Sequence, residues 1–176
     1  MDSFQQLMST LDPPMIVVTT AVGTERAGCL VGFHSQSSIN PGRYVVWLSK
    51  ANHTSRVAQL ATTFAVHFLA HDQRDLAVHF GTQSGDDVDK FADLQLESVD
   101  GSVPLLTDCP NRFWGRKATL LDEGGDHLCV VIDPIEAAEV SSSFRCLRLS
   151  DVSDLDASHD AEERNHPPTE RAAGRG

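Results

Sequence analysis

Residues 28–56 read G-C-L-V-G-F-H-S-Q-S-S-I-N-P-G-R-Y-V-V-W-L-S-K-A-N-H-T-S-R, and the order of textures in this run decides the fold. An apolar strand over 28–34 passes into a hydroxyl-rich segment, His34-Ser35-Gln36-Ser37-Ser38. The turn Asn40-Pro41-Gly42 leads into a second strand, Tyr44-Val45-Val46-Trp47-Leu48. That strand ends in Ser49-Lys50-Ala51-Asn52-His53-Thr54, where a helix starts; Val57, Leu60 and Ala61 share one face of it at spacings of three and four. Short β-branched strands bounded by Gly and Pro turns, with a single short helix between them, point to an antiparallel sheet.

Further strands are expected at 15–20, 63–69, 117–121 and 127–132. The first pairs with 28–34 as a hairpin across Gly23-Thr24, and 140–149 is placed to close the sheet. Helices are expected over 54–62, 73–80 and 86–94. Six or seven strands with few helices and no regular βαβ alternation favour a mainly β, antiparallel barrel over a parallel doubly wound sheet. Neither G-x-G-x-x-G nor a P-loop occurs, so the two common nucleotide fingerprints do not apply.

The chain has 176 residues and a net charge of −11. Residues 150–176 hold seven acids and three arginines, no aromatic residue and the Pro167-Pro168 pair. Such a segment buries too little apolar surface to offset its ordering, so the domain is expected over 1–149 and an acidic, disordered tail over 150–176. Strong negative charge argues against general nucleic-acid binding. No apolar run is long enough to span a membrane, and the first residues lack a secretory pattern, which makes the cytoplasm the expected location. Cys29, Cys109, Cys129 and Cys146 form no C-x-x-C, so they are expected as reduced thiols, with Cys29 and Cys129 in the core. His67 and His71 are four apart but lie on a strand pattern, so no metal site is expected.

Three segments carry candidate chemistry. The start of the helix, with Ser49, Lys50, Asn52, His53, Thr54 and Arg56, combines unpaired first-turn amides with hydroxyls and cations, which suits a phosphate; an ordinary cap with a solvated lysine is the alternative. The hydroxyl-rich segment presents N–H and C=O groups that complement the polar edge of an isoalloxazine ring, or else forms a polar bend in a hairpin. Gly124-Gly125-Asp126-His127 delivers a histidine at the mouth of a strand. That histidine is placed to meet a carboxamide or move a proton, with Asp126 fixing its tautomer or ending the turn.

In sequence order these pieces resemble the flavin reductase-like domains of the FMN-binding split-barrel superfamily. The resemblance rests on G-F-H-S-Q-S-S-I-N-P at 32–41, K-x-N-H-T at 50–54, F-A-V-H-F-L at 64–69, Asp89-Lys90-Phe91, G-S-V-P-L-L at 101–106 and Gly125-Asp126-His127, and it covers residues 15–140. It implies a six- or seven-stranded split barrel of Greek-key type, FMN or FAD as flavin, NADH or NADPH as hydride donor, a homodimer, and a two-component monooxygenase as taker of reduced flavin. By the same resemblance Gly32, Phe33, His34, Ser35, Gln36, Ser37 and Ser38 line the ring and ribityl chain. Ser49, Lys50, Asn52, His53 and Thr54 hold the phosphate. Phe80, Lys90 and Phe91 lie near the nicotinamide or flavin face, and His127, with Asp126, meets the nicotinamide. The chain departs from the family pattern in having a single proline at 41, His67 in place of the usual asparagine, and no cysteine or glutamate over 111–117. Other uses of such a barrel are non-catalytic flavin or haem binding, or redox chemistry on a deazaflavin or pyridoxine phosphate.

Overall fold

The computed structural model describes residues 2–138, 140 and 143–155. Strands β1 (Ile16–Val22) and β2 (Glu25–Val31) form the expected hairpin, Val22 facing Glu25 across Gly23-Thr24. Gly23 takes φ +59°, the left-handed geometry that a two-residue hairpin loop requires. β3 (His34–Ile39), β4 (Gly42–Ser49), β5 (Thr63–Phe68), β8 (Arg112–Leu121) and β9 (His127–Ala137) complete a seven-stranded sheet, ordered β2-β1-β5-β8-β9-β4-β3 and antiparallel at every step. A separate hairpin, β6 (Leu96–Val99) with β7 (Val103–Leu106), turns through Asp100 and Gly101, both at positive φ.

β2 and β3 follow one another in the chain yet occupy opposite edges of the sheet. The sheet therefore rolls until its edges meet at residues 32–33 without pairing, which is the split in the barrel. Alternation along β1 sorts the core into two layers. Ile16 and Val18 point inward with Cys29, Val46, Leu48, Phe64, Val66, Val130 and Ile132. Met15 and Val17 point outward, where Phe80, Phe91, Leu106 and Leu147 cover them. Helix α2 (His53–Leu60) plugs the split, with Ala58 in the inner core and its last carbonyls, Ala58 O and Gln59 O, accepting from Lys117 Nζ at 3.0 and 2.9 Å. Helix α3 (Arg74–Thr82) lies on the outer layer, and a short helix, α1 (Ser3–Met8), precedes the barrel.

Three sequence expectations change. Residues 86–94 form turns rather than a helix. Their aspartates take up local bonds that compete with helical ones: Asp89 Oδ1 accepts from the Phe91 N–H at 3.0 Å, while Asp86 and Asp89 pair with Arg56 and Arg26. Among the described residues of 140–149 there are only isolated bridges, of Cys146 with Ala70 and Arg148 with Pro14, and Leu147 closes the outer core. The expected tail boundary at 150 falls within a docked turn, because Val152 is a buried anchor, Ser150 bonds to the Asp12 carboxylate and Arg74 pairs with Asp154 at 2.7 Å. The remainder of the expected tail, 156–176, lies outside the described residues. Among the described residues no helix is long and apolar enough to cross a membrane.

Candidate functional site

The split places five chain segments at one corner of the barrel: the β2–β3 junction, the end of β4, the start of α2, the 122–126 turn and the first residues of β9. Register fixes this. Ser49 faces His127 across the β4–β9 ladder, and the Trp47 N–H donates to Phe33 O at 2.9 Å. The Phe33 ring, 62% exposed, stands 5.3 Å from the His127 ring. Behind them is a cleft of about 140 Å³ lined by Trp47, Leu121, Glu123, Gly125, Asp126, His127 and Cys129.

His127 is oriented from below. Its Nδ1 lies 2.6 Å from Asp126 Oδ1, so Nδ1–H donates to the carboxylate and Nε2 is left for a ligand. The turn that carries both residues is tied to β4. The Lys50 N–H donates to Asp126 O at 2.9 Å, and Lys50 Nζ meets Asp122 Oδ1 at 2.7 Å. The Asp122 carboxyl is held below the usual carboxylate range by Lys50 and by the Gly124 N–H. The cation expected to face a phosphate is thus neutralised in place.

The start of α2 has no side-chain cap, since the Asn52 side chain does not bond the helix amides. Burial pushes up the pKa of the Cys29 thiol, which the polar side chains of Thr54 and Asn52 and the Lys90 cation partly offset. Thr54 is only 1% exposed, so its side chain packs in the core while the residue stands in the first turn of α2. Ser49 Oγ is buried at this junction without a hydrogen-bond partner. An unsatisfied hydroxyl beside an uncapped helix start fits an anion brought by a ligand.

Of residues 32–38 only the first two, Gly32 and Phe33, belong to this corner. His34 turns to the barrel wall, where Nε2–H donates to Pro14 O at 2.7 Å and Nδ1 accepts from the Tyr44 hydroxyl at 2.5 Å, with burial lowering its pKa. Ser35 and Gln36 face Val45 and Tyr44, and Ser38 faces Arg43 beyond a bulge that takes in Ser37, so the serines run along the edge toward the far end of β4.

His53 faces a different cleft, of about 370 Å³, formed by residues 24–28 and 85–91. Its ring nitrogens lie 3.3 Å from Glu25 and 3.1 Å from Asp86. Lys90 and Phe91 form part of this wall, but Phe80 and Phe91 are 1% and 3% exposed core residues. Lys90 Nζ donates to Gly28 O and Phe80 O at 3.2 and 3.0 Å, and burial lowers its pKa. These three side chains support the outer core, with Lys90 and Phe91 at the wall of the cleft beside His53. Sequence reasoning missed Trp47, Cys129 and Asp122. The first two read as ordinary strand residues, whereas an aspartate two positions before Gly124 is a turn signal.

The family model described as "Flavin reductase like domain" matches residues 8–147. The FMN reductase (NADH) SmoA of Agrobacterium fabrum is 33% identical over 146 residues, which span 82% of this chain and 80% of that protein. Among solved structures, the NADH:FAD oxidoreductase SgcE6 of Streptomyces globisporus superposes with a TM-score of 0.73 at 21% identity, covering 82% of this chain and 85% of that one. The flavin reductase PheA2 superposes with a TM-score of 0.66 at 21% identity, covering 81% and 90%. With the family match spanning most of the folded barrel, and the corner at its split carrying the oriented histidine, the chain belongs to the flavin reductase-like domain family.

Proposed function

We propose that this protein is a flavin reductase that passes hydride from NADH or NADPH to FMN, or to FAD, at the corner formed by Gly32, Phe33, Ser49, the start of α2 and His127. The observation that carries the reading is the Asp126–His127 pair, 2.6 Å apart and facing the exposed Phe33 ring at the mouth of the split. The relative SmoA, named as an NADH-dependent FMN reductase, supports the choice of reaction.

Bound flavin supplies the two-electron acceptor. The chain supplies position. Gly32 and Phe33 offer backbone groups and an aromatic surface to the ring. The uncapped α2 start and the Ser49 hydroxyl would hold the phosphate. His127, oriented through Nδ1, would meet the carboxamide of the nicotinamide through Nε2. Holding the two reactants in register accounts for most of the rate.

The 140 Å³ cleft is smaller than the roughly 300–1,000 Å³ of small-molecule sites. Phe33 and Leu121 are exposed beside this cleft. A second copy of the chain covers them and completes the site, so the working form is a homodimer in the cytoplasm, and a two-component monooxygenase consumes the product. The test is oxidation of NADH and NADPH with FMN, FAD and riboflavin in turn, with mass determined by sedimentation. Flavin-dependent oxidation by a dimer is expected. Flavin binding without oxidation would leave a binding protein in its place.

A further inference from the structure

We propose that Asp122 and Lys50 act as a positioning pair that fixes the 122–127 turn and thereby sets the tautomer and place of His127; this rests on the site assigned above. The turn needs such a device. A Cβ placed on Gly124 or Gly125 would meet nothing within 4 Å, so nothing packs against these two positions, and Gly124 sits at φ +86°. Two consecutive glycines give an unrestrained turn wide conformational freedom.

Asp122 Oδ1 is the node that limits it. This oxygen accepts from Lys50 Nζ at 2.7 Å and from the Gly124 N–H at 2.9 Å, one bond to the neighbouring strand and one within the turn. Lys50 makes a second link through its main chain, donating to Asp126 O at 2.9 Å. Asp126 in turn accepts from His127 Nδ1. The line Lys50–Asp122–Gly124, closed by Lys50–Asp126–His127, joins the end of β4 to the catalytic imidazole. Because Lys50 and Asp122 are 36% and 50% exposed, the pair contributes little to global stability, and its effect falls on the turn.

The test compares wild type with Asp122→Ala, Lys50→Met, Lys50→Arg and the double variant Asp122→Ala/Lys50→Met. In the flavin-free protein, amide exchange over 122–127 is expected to quicken about tenfold in Asp122→Ala. The ¹⁵N shifts of His127 are expected to move from one tautomer toward an average of two. The thermal midpoint should stay within about 3 °C of wild type. In turnover, kcat/KM for the nicotinamide is expected to fall about five- to tenfold with the flavin Kd unchanged. Lys50→Arg should restore it, and the double variant should lose no more than either single one. Unaltered exchange and an unaltered His127 spectrum in Asp122→Ala would overturn the proposal whatever the activity. A wild type without reductase activity would remove the functional reading instead, and the flavin-free measurements would still decide the positioning role.

Discussion

Replacing Ser49 by alanine should move two quantities in opposite directions. Ser49 Oγ is buried with no hydrogen-bond partner. A buried polar group left in this state costs about 1–3 kcal/mol. Removing it relieves most of that cost, less a small loss of packing, so the flavin-free variant should be more stable by about 1 kcal/mol. For a chain of this size that raises Tm by about 2–4 °C. The bound state reverses the sign. If the hydroxyl donates to the flavin phosphate, its loss removes a charge-assisted bond of about 1.5–3 kcal/mol, or roughly 10- to 150-fold in Kd for FMN. Thermal melts without ligand and fluorescence titrations with FMN and riboflavin read both effects. Riboflavin lacks the phosphate, so its affinity should be unchanged. A destabilised variant whose FMN and riboflavin affinities fall together would refute the reasoning.

Three other outcomes follow from the geometry. His127→Ala should lower kcat/KM for the nicotinamide by about 10- to 100-fold while leaving the FMN Kd within about twofold, measured by steady-state kinetics and flavin titration. Gly115→Ala would drive a Cβ into the main chain at Asp133 O in the β8–β9 ladder, and should cost about 3 kcal/mol by urea unfolding. His67 is fully buried, with Nδ1 3.2 Å from Val17 O and Nε2 accepting from the Leu106 N–H at 3.1 Å, and burial pushes its pKa down to about 3. The unfolded chain therefore takes up this proton first as pH falls. The stabilising contribution is complete above about pH 6.5 and is lost toward pH 3, at up to about 1.4 kcal/mol per pH unit. His67→Asn, which keeps a donor and an acceptor, should flatten that slope in urea melts at pH 7, 5 and 4.

The strands were legible because β-branched runs and Gly or Pro turns mark them, and β1, β5 and β9 fall where the pattern puts them. β3 was harder, since a row of serines on an exposed edge carries no apolar alternation, and register alone separates Gly32 and Phe33 from Ser35 to Ser38. The acid run at 86–94 has a helical spacing of Val88, Phe91 and Leu94, but aspartate side chains bonding to nearby main chain and to Arg26 and Arg56 override it. Val152 shows the limit of composition: one buried side chain ties down a segment whose average character is that of a tail. At the site, the Asp126–His127 pair was visible as neighbours in sequence. The partners of Lys50, Thr54 and His53 are distant in sequence, at Asp122, Cys29 and Glu25 with Asp86, and only the rolled sheet brings them together.

The footprint of FMN in amide hydrogen exchange tests the central claim most directly. Protection is expected over residues 31–34, 49–54 and 124–128 at once, with 35–39 and 85–91 unaffected. Protection confined to the cleft beside His53, or none at saturating FMN, would contradict the assignment of the flavin to the split.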